Sequence, residues 1–552
     1  MLPTPSRKRL RIFRLAAFAA ISLMLASCGG GGSGGGFFFP LPTGNGGAAP
    51  PAAQYTVGGS VSGLHGSGLV LQQSGSADVA VAVDGAFVFS DPRSQGAGYA
   101  VSVKQQPSNP TQVCSVNNGA GSIGTANVDS VRVVCAGDAY KVSVTVTGLA
   151  SNDLVLQNNA GDDLAVGADG VVSFATPVAN GADYGVTVKT QPTAPQVCVA
   201  KQAFGTVAGA AVGSVTVDCT EASEEKFGFT ANEGAGTVTM FNVGSDGQLT
   251  TPGVSLAAGT NPQHVAVRLA GKGLSGGSVY SSNITSNSIS QYRVDGGVMT
   301  PMSNPTVATG TPAFVGIEPT GRFAYVIGSG AIIRYGISTV PSAIGELVNG
   351  TAFPGATGTR RLNFDHAGRF LFTPSGGNAI QVFRLDPLTG DPISPPVSVA
   401  VSSPNDIAID PTDRFAYVVS GSGTLSAYAI DQTTGALTPI NSGPTGNTPF
   451  SVAVDPTGRF VYASNRNTND VSAYAIDPRT GALTPVPGQP FSVGGSVPDS
   501  VVVDRTGRFV YTANQAGGGT VSVFTIDRAT GALTRKAVQS SPGGPQFLSL
   551  MK

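Results

Sequence analysis

The 552-residue chain has no tryptophan, three histidines and five cysteines, and only 11% of its residues are charged. Each scarcity removes a class of function. Without Trp the usual sugar-stacking platform is missing, which leaves Tyr and Phe to replace it. His65, His264 and His366 are far apart and have no Cys beside them, so the spacing of a zinc site is absent and neither metal nor cofactor is expected. No strand-to-helix turn carries a Gly-x-Ser-x-Gly nucleophile or a phosphate-cradling loop, and the early GGSGGG tract reads as tether. Basic and acidic residues nearly balance, at 31 against 32, with no basic stripe, which excludes nucleic acid as a partner. The first apolar run, Leu15 to Leu25, is too short to span a bilayer. No long helical periodicity follows residue 30.

What is abundant is glycine and proline, 76 and 38 residues, together with Val, Thr, Ser and Ala, a composition that favours short strands joined by turns. The N-terminus has a different character. Arg7, Lys8, Arg9, Arg11 and Arg14 precede the apolar run, and without these five the net charge falls from −1 to −6. A basic stretch, an apolar stretch and a small-residue end form a secretory signal over 1–27. Its close, Leu25-Ala26-Ser27-Cys28, resembles the lipobox of bacterial lipoproteins. That resemblance implies cleavage before Cys28, lipidation of its thiol and attachment to a membrane; Gly29 in place of Asp implies the outer membrane, on its periplasmic face or at the cell surface. Several acyl chains on one cysteine hold where a single chain would not. Residues 28–53, rich in Gly and Pro, are expected to be a tether.

Cys114, Cys135, Cys198 and Cys219 form two pairs with the same spacing of 21 residues. In an exported chain this predicts two disulfides, each stabilising its domain by about 3 kcal/mol. The pairs sit in a duplicated module: YAVSVKQQP at Tyr99 matches YGVTVKTQP at Tyr184, an offset of 85 residues. Strand-like alternation within each copy predicts two small tandem β-sandwiches of immunoglobulin-like type over 54–137 and 138–221.

A second repeat occupies 222–552. DPTGRFVYAS at Asp455 recurs around Arg322, Arg369, Arg414, Arg459 and Arg508, at spacings of 47, 45, 45 and 49 residues. That period in short strands is the mark of four-stranded propeller blades. Seven strand-A leads can be found, at Pro262, Pro312, Thr359, Pro404, Pro449, Pro498 and Pro545. The last has no partners and the first three strands have no A strand, so the C-terminal strand should close a seven-bladed ring. The fold class is therefore all-β, two sandwiches followed by a propeller. Asp-Pro-Thr-Gly suits a type I turn capped by its own Asp, so the motif makes the A-to-B hairpin; DPRTGALT at Asp477 makes the C-to-D turn at the same end. The variable B-to-C loops and D-to-A links then share the other end.

Binding residues ride on loops held by a rigid scaffold, so a ring of candidates follows the strand-A leads. It comprises Gln263 and His264, Ala313 and Phe314, Arg360 and Arg361, Asn405 and Asp406, Phe450 and Ser451, Asp499 and Ser500, and Gln546 and Phe547. Adjacent arginines suit a carboxylate or phosphate, or else pair with Asp406, Asp499 and neighbouring carbonyls. The phrases DPTGRFVYASN, VSAYAID and TGALTPV are similar to the blade consensus of the seven-bladed lactonase family, which includes propeller-type 6-phosphogluconolactonases and carboxymuconate cyclases. The family's enzymes carry Gly-Pro-Arg-His and a later Asn-Glu-Leu in one blade, and Pro-His-His in the preceding one. Here Arg360 matches the Arg, Arg361 replaces the His, Gly376 replaces the Glu, and Ala313-Phe314 replace the histidines. The resemblance implies Arg360, Arg361 and His264 as the groups left for catalysis, His366 being at the opposite end. The expected function is a membrane-anchored envelope lipoprotein whose propeller binds a small molecule, an envelope protein or a polysaccharide. The alternatives are a lactonase or cycloisomerase acting outside the cytoplasm, and a structural role in envelope assembly.

Overall fold

The computed structural model describes residues 53–551, except residues 76, 329, 377 and 394 and segments 194–195, 222–224, 251–252, 270–276 and 354–360. The signal segment, the lipobox with Cys28, almost all of the tether and Arg360 lie outside the described residues. Strands dominate, and the sole helical element among the described residues is a 3-10 turn at Pro341–Ala343.

Each N-terminal repeat is a pair of sheets around one apolar core. In the second, Val142–Thr147, Gly170–Ser173, Gln196–Lys201 and Val212–Glu221 form one sheet, and Leu154–Asn158, Asp162–Val166, Asp183–Thr190 and Phe204–Thr206 the other. Alternate residues such as Val142, Val144 and Val146 are fully buried between them, as a half-buried strand requires. The disulfides join Cys114 to Cys135 and Cys198 to Cys219 as predicted. Each links directly opposed residues of neighbouring strands in one sheet, whereas the immunoglobulin bridge crosses between sheets. The strand Val128–Tyr140 runs across the expected boundary at 137/138, and Ala139 and Tyr140 pair with Ala179 and Val178 of the second repeat.

Seven four-stranded blades follow, one carrying an additional short strand. The ring closes as expected: Pro545–Met551 pairs antiparallel with Phe227–Asn232, joining the C-terminus to the first blade. Closure leaves no blade without its inner strand.

The recurring motifs explain why blades cohere. Asp455 Oδ1 accepts the backbone N–H groups of Arg459 and Phe460, both at 2.7 Å, while Oδ2 accepts that of Thr457 at 3.1 Å, so the carboxylate organises its own turn. The Arg, Phe and Tyr that follow reach the next blade. Arg414 donates to the carbonyls of Pro478 and Arg479, at 3.2 and 2.9 Å, and the buried Tyr417 hydroxyl to that of Gly481 at 3.2 Å. The same Tyr-to-Gly bond recurs at Tyr325 and Gly390, Tyr462 and Gly531, and Tyr511 and Gly247. Gly481 has φ +75°, and a Cβ there would lie 2.4 Å from the Phe415 ring. The glycine of TGALT is thus the seat for the phenylalanine of GRF one blade earlier, and both turns lie at one end.

Two outcomes test this frame. Gly481→Ala should lower stability by about 2 kcal/mol or more, from left-handed strain plus the clash with Phe415, read from the denaturant midpoint. Removing the last eight residues should abolish the cooperative thermal transition of the propeller, because the first blade loses its inner strand; an unchanged calorimetric transition would refute closure.

A candidate binding site at the channel mouth

Each described strand-A lead contains a one-residue bulge. In strand Pro262–Leu269, Pro262 opposes Asn283 and His264 opposes Ser282, leaving Gln263 as the extra residue. The same slip leaves Ala313, Asn405, Phe450, Asp499 and Gln546 extra in their blades. Bulges re-aim side chains, and here they deliver consecutive residues of each lead to one opening.

There the side chains form a continuous stack. The Phe314 ring lies on His264 with centroids 3.6 Å apart, and His264 meets Phe547 at 3.9 Å. Arg361 is 5.5 Å from Phe547 and 4.7 Å from Phe450, whose ring also receives Arg466 at 4.3 Å. Six side chains from five blades thereby cross the mouth. Below them lies a channel cavity of about 310 Å³, lined by Arg361, Asn363, Asp406, Ser451 and, at its far end, His366.

Hydrogen bonds commit the charges of this layer to one another. Arg361, only 7% exposed, donates Nη1 to Asp406 Oδ2 at 3.0 Å and to Ser451 Oγ at 3.1 Å, and Nη2 to the Asp499 carbonyl at 3.0 Å. Asp406 also accepts the backbone N–H groups of Ile407 and Val452, at 3.0 and 3.1 Å. Burial raises its pKa, and Arg361 with these donors pulls it back toward the ionised form. Asp499 is gripped by Arg466 through both carboxylate oxygens, at 2.5 and 3.2 Å. Burial pushes Asp499 up to about 6, against the opposing pull of Arg466 and Arg361, and the nearby Glu233 adds to the rise. His264 is held well below its ordinary range by burial first and by the positive Arg361 second, so it is neutral at pH 7.

Of the expected ring, the structure brings together Gln263, His264, Phe314, Arg361, Asn405, Asp406, Phe450, Asp499 and Gln546 at the leads. Gln263 bonds Asn261 within its own lead, and Asn405 donates to the Pro449 carbonyl of the next blade. Gly376 is an exposed turn residue. His366 sits at the hairpin end with Nδ1 2.8 Å from Asp413. Burial opposes its protonation, but Asp413, Asp410 and Asp365 outweigh this and raise its pKa.

Three participants escaped the sequence reading of the site: Glu233, Arg466 and Gln515. Arg466 Nη2 donates to Gln515 Oε1 at 3.2 Å, and Gln515 Nε2 to Glu233 Oε2 at 2.6 Å; Gln546 also donates to Glu233. A signal for all three exists. Glu233, Arg466 and Gln515 each directly follow an asparagine at or near the end of strand B, namely Asn232, Asn465 and Asn514. Those asparagine amides cap their own B-to-C hairpins, as where Asn232 donates to Thr237 at 3.0 Å and to Thr239 at 2.7 Å. The next residue is thereby fixed over the mouth.

The titration of Asp499 gives a measurable consequence. Its native pKa lies above the usual 3.8, so the native state binds the proton more tightly than the unfolded chain. The resulting stability, on the order of 3 kcal/mol, is full below pH 3.8 and is lost as pH rises through about 6. Asp499→Asn, which mimics the protonated form, should therefore gain stability relative to wild type across that window. Equal pH profiles of the two melting temperatures would contradict the assignment.

The family Lactonase, 7-bladed beta-propeller matches residues 208–375, 371–458 and 446–549. Among solved structures, a protein from Lactobacillus plantarum is similar with a TM-score of 0.50 at 19% identity, covering 60% of this chain and 100% of its own. A candidate 6-phosphogluconolactonase from Bacteroides fragilis gives 0.49 at 20% identity, covering 60% and 99%. The periplasmic gluconolactonase PpgL of Pseudomonas aeruginosa gives 0.48 at 20% identity, covering 59% and 99%. No curated protein matches the chain. The blade sheets, the ring closure and a match spanning more than half of the sequence lead to one conclusion: this chain belongs to the family of seven-bladed β-propeller lactonases.

Proposed function

We propose that this protein is an exported, membrane-tethered binding propeller of the bacterial cell envelope. Lipidation at Cys28 and the Gly/Pro-rich segment after it would fix it to the outer membrane, with the two N-terminal domains as spacers. The observation that carries the binding reading is the committed state of Arg361: its guanidinium bonds Asp406, Ser451 and the Asp499 carbonyl, so it serves as the pin of the mouth. What the mouth presents around that pin is apolar ring surface from the half-buried Phe314, Phe450 and Phe547, with the amides of Gln263, Asn405 and Gln515 and the carboxylate of Glu233 beside it. Aromatic faces for C–H surface and amide or carboxylate groups for hydroxyls suit a hydroxyl-rich ligand, a saccharide or a sugar lactone.

A second reading, hydrolysis of a lactone, is favoured by the family membership and by Asp499, whose pKa is raised to about 6 with Arg466 in place, within reach of a general base. The two readings separate in one experiment. Sugar and aromatic lactones are presented to the purified chain, with acid release followed by pH-stat and complex formation by calorimetry, beside Glu233→Gln and Asp499→Asn. The expected result is saturable binding that weakens in Glu233→Gln, with acid release at the background rate. Turnover lost in both variants would replace the binding reading with the lactonase one.

A further inference from the structure

The second N-terminal domain rests on the hairpin-turn end of the propeller, opposite the mouth. Arg479, in a C-to-D turn, donates Nη1 to Asp183 at 2.9 Å and Nη2 to the Tyr184 carbonyl at 3.0 Å. Phe204 is held between two cations, Arg414 at 5.3 Å and Arg479 at 5.6 Å. Beside this clamp the two surfaces part and enclose a cleft of about 360 Å³.

Its two walls differ in chemistry. The N-terminal domain contributes Val186, Val188, Val199, Ala200 and the Phe204 ring, with Thr187, Gln191 and a Lys189 that is paired to Asp163 beside them, so the larger part of that wall is apolar. The propeller contributes the guanidinium groups of Arg414 and Arg459, each lying over the phenylalanine that follows it, at 4.7 and 5.1 Å. Among the described residues no carboxylate makes a direct ion pair with either guanidinium, and Asp410 acts on Arg414 only through space. Asp410 Oδ1 accepts the backbone N–H groups of Arg414 and Phe415, and Asp455 serves its own turn in the same way. Arg459 makes one long contact, 3.4 Å from Nη2 to the Ala529 carbonyl. Next to Ala529, the Nη2 atom of Arg528 is buried with no hydrogen-bond partner. Burial also lowers the pKa of both Arg414 and Arg528, outweighing the opposite pull of Asp410 on the first and of Asp455 and Asp504 on the second.

A cavity at a domain junction, apolar on one side and carrying under-compensated guanidinium groups on the other, has the form of a ligand site. We infer that this cleft binds a single-chain organic anion, with its apolar body against Val188, Val199 and Phe204 and its carboxylate on Arg459. Guanidinium groups laid on aromatic rings are pre-oriented for such a headgroup. The bound anion would also join the two domains, because its ends touch different ones.

The test uses decanoate as probe on the full chain, by calorimetry, with decanol as its uncharged counterpart. Two variants act from opposite walls: Arg459→Gln removes the charge, and Ala200→Phe fills the apolar side. A diazirine-bearing decanoate then locates the site by mass spectrometry. The expected result is one decanoate per chain, weakened roughly tenfold or more in Arg459→Gln and by exchange for decanol, abolished in Ala200→Phe, with label on segments 186–204 or 412–459. Thermal melts identify any variant that fails to fold, in which case the other variant and the label site decide. Absence of saturable decanoate binding, affinity unchanged in a folded variant, or label elsewhere would each overturn the proposal.

Discussion

The propeller depends on one repeated contact, an aromatic ring resting on a glycine that belongs to the next blade. Phe415 on Gly481, Phe460 on Gly531 and Phe509 on Gly247 share the arrangement, and in each case a tyrosine two residues further along donates to that glycine's carbonyl. A Cβ at the glycine would occupy the ring's place, and a shorter side chain at the phenylalanine would leave a void. The contact between Phe509 and Gly247 links the seventh blade to the first and repeats the others, so it is made at the closing blade as well, beside the pairing of the C-terminal strand. Turn geometry, inter-blade packing and polar satisfaction of the tyrosines thus rest on the same few atoms.

Because the hairpin end performs this cohesion, its sequence is constrained and the mouth is free to vary. The bulge after each lead proline provides the means, since it places consecutive side chains over the opening without disturbing the strand behind them. The mouth here is built from mutual commitments: Arg361 with Asp406 and the Asp499 carbonyl, Asp499 with Arg466, Arg466 with Gln515, and Gln515 with Glu233. Buried charges demand such partners. The result is a pinned layer of charge and ring, while at the hairpin end Arg414 and Arg479 hold the second N-terminal domain.

Much of this was legible in the sequence for a physical reason. The A-to-B turn is local, since Asp455 bonds groups within five residues of itself, so DPTGRF could be read as a turn without knowledge of the fold. Ring closure was legible because an unpartnered final strand and three strands lacking a first complement each other. The paired disulfides followed from equal spacing and the expectation of export. The expectation that Arg361 pairs with Asp406 rested on the ring itself, because the two residues are 45 apart in sequence and meet only when adjacent blades are placed side by side.

Other features had no local trace. Glu233 and Gln515 are 282 positions apart and bond because the ring joins its ends. The stack from Phe314 through His264 and Phe547 to Arg361 needs residues from four blades at one radius. The strand that crosses the expected boundary at 137/138, and the cleft between the second domain and the propeller, depend on how surfaces meet. By itself the sequence determined the strands, the turns, the disulfides and the number of blades, because these arise from backbone preferences and short-range bonds. Only the tertiary structure decided which charges at the mouth are committed, which residues join them and where a second cavity opens, because burial and pairing exist only once distant segments share a neighbourhood.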